Sequence, residues 1–220
     1  MIRKYLVLGV ACAVMVGVVQ EASAYLIFTD ETSFLAATSG LSFESFEALT
    51  ATNGTTVSTI TVTDFEITHS DPGEADAILE VYDVSGPGTY ATDGDNYVLW
   101  ARGPYSMYID FNASMGTIGF TQTDALDVAT SGSIIFSNNA GQSETIAMGQ
   151  LAPSNELFFG FIGDWQFTHV TIEDTMTGDV FGIDGVHYGA QVIPEPTTML
   201  MLGGLGAGLA STRKLRRKKK

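Results

Sequence analysis

Carboxylate and amide side chains gather on one short turn in the middle of the chain. Asp93, Asp95 and Asn96 surround Gly94, so three oxygen-bearing side chains lie within four residues. Calcium prefers carboxylate and carbonyl oxygens and accepts several of them in a flexible geometry. The loop pattern of an EF-hand is absent, so the turn predicts a calcium site of another kind. The alternative is a set of solvated carboxylates on an acidic surface.

The three histidines do not follow the spacing of a metalloprotease. His69, His169 and His187 show no H-E-x-x-H pattern. His169 and His187 fall in neighbouring predicted strands, where they could face each other as a paired imidazole. The alternative is that they occupy ordinary exposed strand positions, and the sequence favours it.

Patterns of known catalytic sites are also missing. The chain lacks the G-x-S-x-G motif of a serine nucleophile, and its many carboxylates allow too many pairs to predict a glycosidase dyad. Four aromatic residues could stack on sugars, but Tyr105 and Tyr108 point to opposite faces of a strand because their spacing is odd. We expect most of these aromatic residues to pack in the core. The four are Trp100, Trp165, Tyr105 and Tyr108.

The elements that must position these residues are nearly all strands. Asp30 followed by helix-forming residues predicts one short helix over 30–37 with an aspartate N-cap. Eight to ten strands with turns between them predict a single antiparallel β-sandwich of jelly-roll kind. Residues 138–141 join two strands into a hairpin. The predicted strands are 58–68 (with a bulge), 97–101, 105–111, 115–120, 133–137, 144–148, 157–162, 167–172 and 180–188.

The charge of the middle of the chain is strongly negative. Residues 25–192 carry 23 carboxylates and one basic residue, Arg102, for a formal net charge of −22. Such a surface repels phosphate backbones, so nucleic acid is excluded as a partner of this region. The other basic residues lie at the two ends of the chain, next to apolar segments, which is typical of sorting signals.

The N-terminus has the pattern of a secretory signal peptide. Arg3 and Lys4 precede an apolar run over residues 5–19, and Ala22 and Ala24 supply the small residues of a cleavage site before Tyr25. The alternative is an uncleaved membrane anchor or a buried helix, but the run is short for a membrane span. Cleavage after Ala24 removes the chain's one cysteine, and the mature protein then has no disulfide.

The C-terminus combines three segments in a fixed order. Pro194, Glu195 and Pro196 favour an extended approach, residues 197–212 are uncharged, and residues 213–220 contain seven basic side chains. This order predicts a short transmembrane helix whose basic tail stays on the cytoplasmic side. With an N-terminal signal, the middle of the chain is then outside the cytoplasm.

This end of the chain resembles the PEP-CTERM sorting signal of Gram-negative bacteria. Pro194, Glu195 and Pro196 match the motif, and the uncharged segment and basic tail match its other two parts. The resemblance implies recognition and removal of the tail by the membrane transpeptidase exosortase. It also implies an organism that makes exopolysaccharide and biofilm, and a product at the cell surface or outside the cell.

The rhythm of the last strands resembles that of carbohydrate-binding jelly-roll modules. This second resemblance implies a β-sandwich and a structural calcium bound by an early glutamate and a late aspartate. In this sequence those positions match Glu44 and Asp184, so the calcium ligands we predict are Glu44, Asp93, Asp95 and Asp184.

Three functions remain open from the sequence. The one we favour is an exported, non-enzymatic protein of the surface or matrix, processed by exosortase and associated with exopolysaccharide. A secreted hydrolase or lyase acting on polysaccharide is the second, although a lyase needs basic groups to neutralise a uronate and Arg102 is alone. The third is an adhesin whose acidic faces associate through calcium. The predicted organisation is a signal peptide over 1–24, an ectodomain over 25–192 and a sorting signal over 193–220.

Overall fold

The computed structural model describes residues 25–70, 78–84, 89–101, 106–124, 132–147, 156–173, 180–190 and 193. These residues form one helix and eleven strands, and all the strand pairs are antiparallel. The elements are β1 (Tyr25–Phe28), α1 (Glu31–Ala37), β2 (Ser42–Glu44), β3 (Thr59–Thr61), β4 (Phe65–His69), β5 (Ile78–Tyr82), β6 (Tyr97–Ala101), β7 (Ser106–Thr123), β8 (Ser133–Ser137), β9 (Ser143–Ala147), β10 (Glu156–Glu173) and β11 (Val180–Gly189).

Two long strands, β7 and β10, run through both layers of the fold. Each has 18 residues, and they pair with each other over nearly their whole length. Residues 117–123 of β7 and 156–162 of β10 form the centre of sheet I, in the order β5-β6-β11-β7-β10-β1, with β2 also paired to β11. Residues 106–111 and 169–173 form the centre of sheet II, in the order β3-β4-β7-β10-β8-β9.

Irregular pairing lets the two strands pass from one sheet to the other. The register between β10 and β7 shifts between Ile162 and Phe167, and again between Phe167 and His169. Residues 112–114 of β7, on the other side of this irregularity, are exposed. Extra residues in a strand bend it and increase its twist, so the sheet folds over at this point and its two halves face each other.

The core fills the space between the facing halves. The rings of Phe136 in sheet II and Phe161 in sheet I stack with their centroids 3.9 Å apart. Tyr188 of sheet I packs against Phe65 and Phe111 of sheet II. Apolar side chains at the inward positions of the strands account for this core. The predicted antiparallel β-sandwich with one short helix is therefore confirmed.

Individual elements differ from the prediction, and β1, β2 and β5 were not among the predicted strands. Residues 58–68 are not one bulged strand but a hairpin of β3 and β4, closed where the Val62 amide donates to the Phe65 carbonyl. The strands predicted over 105–111 and 115–120 are parts of β7, and those over 157–162 and 167–172 are parts of β10. The turn between β3 and β4 and the bends within β7 and β10 each interrupt the alternation of apolar residues. The sequence pattern alone therefore did not distinguish a turn from a bend.

The helix and the second hairpin agree with the sequence. Asp30 caps α1, because its carboxylate accepts a hydrogen bond from the Ser33 amide at 2.8 Å. β8 and β9 form the hairpin predicted around residues 138–141. The segments 1–24 and 194–220 lie outside the described residues, so the signal peptide, the sorting motif and the domain boundaries stay predictions. Among the helices of the described ranges, none has the length and apolar character needed to cross a membrane.

Helix α1 covers the outer side of sheet I. Phe34 of this helix is fully buried over two glycines, Gly119 and Gly160, which face each other in β7 and β10. A Cβ atom at Gly160 would lie 2.6 Å from Cδ2 of Phe34, and one at Gly119 would lie 2.7 Å from its Cε1. The glycines therefore provide the space into which the ring fits.

This fit makes a testable prediction for Gly160→Ala. The added methyl group collides with Phe34, so we expect the free energy of unfolding to fall by about 1–3 kcal/mol, measured by urea denaturation. In Phe34→Ala the ring is gone, so the same glycine substitution should cost much less in that background. Equal costs in both backgrounds would show that the ring does not need the glycine.

Candidate functional site

The turn that the sequence singled out is held by the buried carboxylate of Asp184. Its Oδ2 accepts hydrogen bonds from the Thr92 amide at 2.6 Å, the Asp93 amide at 2.8 Å and the Thr92 hydroxyl at 3.1 Å. Its Oδ1 accepts from the Gly185 amide at 2.7 Å. Only 1% of Asp184 is exposed. The side chain thus ties β11 to the turn over residues 92–96, which we call the acidic turn.

The surroundings of Asp184 act on its ionisation in opposite directions. Burial disfavours the charged form and is the larger effect, so the pKa of Asp184 is raised above its ordinary value. The hydrogen bonds from Asp93, Thr92 and Gly185 favour the carboxylate and lower the pKa in part. The donors are therefore what allows a charged group to be accommodated at this buried position.

Glu47 holds the second half of the acidic turn. Its Oε1 accepts from the Asp95 amide at 2.8 Å and from the Asn96 amide at 2.7 Å. Gly94 lies between these two contacts and Asp93, with a φ of +74°, a conformation that suits glycine. A Cβ at Gly94 would also collide with the Glu47 side chain. The left-handed conformation favours glycine here, and a larger residue would also displace the Glu47 carboxylate from the turn.

The segment around Glu44 joins the same network. Glu44 Oε1 accepts from the Phe46 amide at 2.7 Å, and the buried Asn96 donates its side-chain amide to the carbonyls of Phe46 and Leu49. Glu44 lies opposite Val186 in the pairing of β2 with β11. The early glutamate, the turn and the late aspartate thus come to one end of the fold.

The carboxylates of this region bind backbone amides in the structure. Asp184, Glu47 and Glu44 each accept from main-chain N–H groups, whereas the side chains of Asp93 and Asp95 are exposed. Within the described ranges, no group of three or more histidine, cysteine, aspartate or glutamate side chains is placed to hold a metal ion. Calcium binding by Glu44, Asp93, Asp95 and Asp184 therefore stays a prediction.

The role of Asp184 is testable with Asp184→Asn in the presence of EDTA. An amide cannot accept all four hydrogen bonds, so we expect the free energy of unfolding to fall by about 3 kcal/mol at neutral pH. The matched control is Asp95→Asn, an exposed side chain on the same turn, with an expected change within about 0.5 kcal/mol. Equal effects of the two substitutions would contradict the assigned role.

The pH dependence of stability is a second test of the role of Asp184, and it uses the same two variants. Because the pKa of Asp184 is raised in the folded state, the folded protein binds a proton at this group more readily than the unfolded chain does. Its contribution to the free energy of unfolding therefore falls as the pH rises from 3.8 through the folded pKa. Asp184→Asn should lack this component, and Asp95→Asn should keep it.

The histidines do not form the paired imidazole that the sequence allowed. His169 lies in the half of β10 that pairs with β8 in sheet II, whereas His187 lies in β11 of sheet I, so the two are in different sheets. His187 lies beneath the helix layer, where its Nε2 is 2.8 Å from Oε1 of Glu31 and its ring packs against Phe43. His169 is on the outer side of sheet II. His69 is buried at the end of β4.

The outer sides of the two sheets differ in what covers them. On sheet I, the central outward residues, which include Tyr97, Leu99, Thr121 and Phe158, are buried beneath α1 and the segment before β6, whereas Leu26 and Phe43 on the outer strands β1 and β2 are exposed. On sheet II, none of the outward residues that the structure describes is buried. We call these residues the open face: Thr59, Thr61, Glu66, Thr68, Ser106, Tyr108, Asp110, Ser133, Ile135, Ser137, Ser143, Thr145, Ala147, His169, Thr171 and Glu173.

Tyr108 lies at the centre of the open face and is half-buried. Thr68 of β4 is directly opposite it on one side, and Thr171 of β10 is opposite it on the other. Ile135 and Thr145 continue the same row across β8 and β9. An aromatic ring bordered by hydroxyl groups on the outer side of a sheet offers both stacking and hydrogen bonding to a ligand.

The neighbouring row carries a chain of polar contacts. Asp110 and His169 face each other across β7 and β10, with Oδ1 2.6 Å from Nδ1. Nε2 of His169 is 3.2 Å from Oδ1 of Asn139, in the turn between β8 and β9. The two side chains of the pair are 38% and 45% exposed for His169 and Asp110. They are fixed in orientation and still accessible to a ligand.

The other sequence-predicted aromatic residues are less accessible. Trp100 is 3% exposed and packs against Phe181, as expected for a core residue. Trp165 is partly buried and contacts Phe167 edge-on. Tyr105 lies outside the described residues. The sequence pointed to Tyr108 but not to its neighbours, because pairing between distant strands decides which residues surround it.

Comparison with known proteins gives neither a family nor a curated relative. No family model matches the chain, and no curated protein matches it. Among solved structures, it is similar to a mutant of CBM29-2, a family 29 carbohydrate-binding module, with 18% identity over 54% of this chain and 94% of that chain at a TM-score of 0.33.

Two further solved structures show a similar level of likeness. One is CpGH89CBM32-4 of Clostridium perfringens, in complex with GlcNAc-α-1,4-galactose, with 12% identity over 54% of this chain and 98% of that chain and a TM-score of 0.32. The other is the K2 adhesin domain of Lys-gingipain, with 13% identity over 70% of this chain and 100% of that chain and a TM-score of 0.41. At these scores the likeness assigns neither a ligand nor a site to this chain.

Proposed function

We propose that the chain is an exported, non-enzymatic protein of the cell surface or extracellular matrix that binds polysaccharide. The observation that carries the proposal is the open face, where Tyr108 lies between the hydroxyl groups of Thr68 and Thr171. Sugars bind proteins through stacking of their apolar faces on aromatic rings and through hydrogen bonds of their hydroxyl groups, and this surface offers both.

The route to the outside follows from the two ends of the sequence. The signal over residues 1–24 directs export, and exosortase recognises Pro194, Glu195 and Pro196 while residues 197–212 hold the chain in the cytoplasmic membrane. Removal of the basic tail then places the domain at the cell surface or in the medium. This processing is part of the proposal and rests on the resemblance of residues 194–220 to the PEP-CTERM signal.

The fold brings the residues next to the two predicted signals together. The Ile193 amide donates to the Gly163 carbonyl at 2.9 Å, and Gly163 is also the residue opposite Tyr25 in the pairing of β1 with β10. An anchor at either end would therefore hold the domain by the edge formed by β1 and Gly163.

Polysaccharide binding is tested by co-sedimentation of the native protein with the exopolysaccharide of its own host. Tyr108→Ala removes the stacking ring, and we expect the affinity to fall about tenfold or more, as for the loss of one aromatic contact. Phe43→Ala is the matched control, because Phe43 is an aromatic residue 48% exposed on the other side of the molecule. The proposal would be contradicted if all three proteins co-sedimented equally with the polysaccharide, or if none of them did.

Sorting is tested by the intact mass of native protein from the cell envelope and from the medium. Processing predicts a chain that begins at Tyr25 and ends near Pro194, Glu195 and Pro196, with any added mass identifying an attached group. A mass that retains residues 213–220 would show an ordinary anchored membrane protein, and the exosortase part of the proposal would be wrong.

A further inference from the structure

We infer that the open face takes uncharged polysaccharide and rejects polymers that carry uronate or sulfate groups. The inference rests on the proposed function and adds to it the chemical class of the ligand. It is carried by three features of the described residues: the charges on the face, the two parallel rows of ligand-facing groups, and the fixed orientation of Asp110.

The charges on the open face are those of carboxylates. Glu66, Asp110 and Glu173 point outward from three neighbouring strands. The described residues of the domain include no lysine or arginine, and the imidazole of His169 is already bonded to Asp110. Among the described residues, an anionic polymer laid across this face would meet carboxylates and no lysine or arginine that compensates them, and like charges brought together in this way disfavour binding.

Carboxylates suit the hydroxyl groups of an uncharged sugar. An ionised carboxylate only accepts hydrogen bonds, and it forms stronger bonds with hydroxyl donors than a neutral acceptor does. Every hydroxyl group of a sugar can donate. A face rich in acceptors and poor in cationic donors is therefore complementary to a polyol, and this complementarity selects the ligand by its charge.

The face provides two adjacent rows of such groups. Tyr108 and Asp110 are two residues apart on β7, so their rows are roughly 7 Å apart along the strand. The first row gives the tyrosine ring with Thr68 and Thr171, and the second gives Asp110 with His169. When one sugar unit stacks on Tyr108, the next unit of the same polysaccharide chain can contact the second row.

The second row is oriented before a ligand arrives. The hydrogen bond with Nδ1 of His169 uses Oδ1 of Asp110, and the contacts of the described residues leave Oδ2 to accept from a ligand hydroxyl. Asn139 contacts the other ring nitrogen and keeps the imidazole in place. Groups held in their bound orientation lose little entropy on binding, which favours affinity.

The test uses pairs of polymers that share a backbone and differ in charge. Native protein is run in affinity gels that contain hydroxyethyl cellulose or carboxymethyl cellulose, and dextran or dextran sulfate, at fixed ionic strength with EDTA. We expect retardation by at least one uncharged polymer and affinity at least tenfold weaker for its anionic partner. An anionic partner that binds equally or more tightly in EDTA would overturn the inference.

Substitutions on the face locate the selectivity. Asp110→Asn should weaken binding of the uncharged polymer about tenfold. Glu31→Gln, which alters the similar carboxylate–histidine pair that Glu31 of α1 forms with His187, should leave it unchanged. The double variant Glu66→Lys and Glu173→Lys should gain affinity for the anionic polymers. If that variant keeps its melting temperature and still binds anionic polymers as weakly as the native protein does, charge does not cause the selectivity.

The remaining outcomes separate the inference from the proposed function. Anionic polymers that bind only when calcium replaces EDTA would overturn the inference in favour of cation-bridged binding, and loss of that binding in Tyr108→Ala would still support the open face as the site. Absence of binding to every polymer, including the exopolysaccharide of the host, would overturn the proposed function and the inference together.

Discussion

The antiparallel pairing of β7 with β10 is the constraint on which the rest of the fold depends. Each strand spans both sheets, and every other strand attaches to one half of this pair, either directly or through one or two intervening strands. The register shifts between Ile162 and His169 bend the pair once, and that single bend produces two facing layers from one continuous sheet. The side chains that meet across the bend, such as Phe136 with Phe161, then form a core that needs no disulfide.

The outer sides of the two sheets differ, and our proposal for the function starts from this difference. Gly119 and Gly160 leave room on the outer side of sheet I, so Phe34 can sit against the strands and α1 becomes a third layer. The corresponding side of sheet II carries Tyr108, Asp110 and His169 and has no such layer among the described elements. A sheet covered on one side only must be polar on its other side, and which polar groups it carries determines what it can bind.

Local chemistry could be predicted from the sequence, and long-range pairing could not. The aspartate N-cap of α1, the hairpin around residues 138–141 and the all-β class are read from neighbours in sequence, and the structure agrees with them. The continuity of β7 and β10 was missed because residues 112–114 break the apolar alternation as a turn would. The open face was missed for another reason: Thr68, Asp110 and His169 come from three strands, and only their register makes them neighbours.

The lack of basic residues explains why the same carboxylates serve as structural groups and as candidate ligand groups. In a domain whose described residues hold no lysine or arginine, a carboxylate must find N–H or O–H donors instead of cations. Inside the fold, Asp184 and Glu47 obtain them from the backbone of the acidic turn. On the surface, the donors must come from outside, from water or from a ligand. A polymer of neutral sugar units presents such donors along its whole length, which is why we assign it to the face where Asp110 is oriented and accessible.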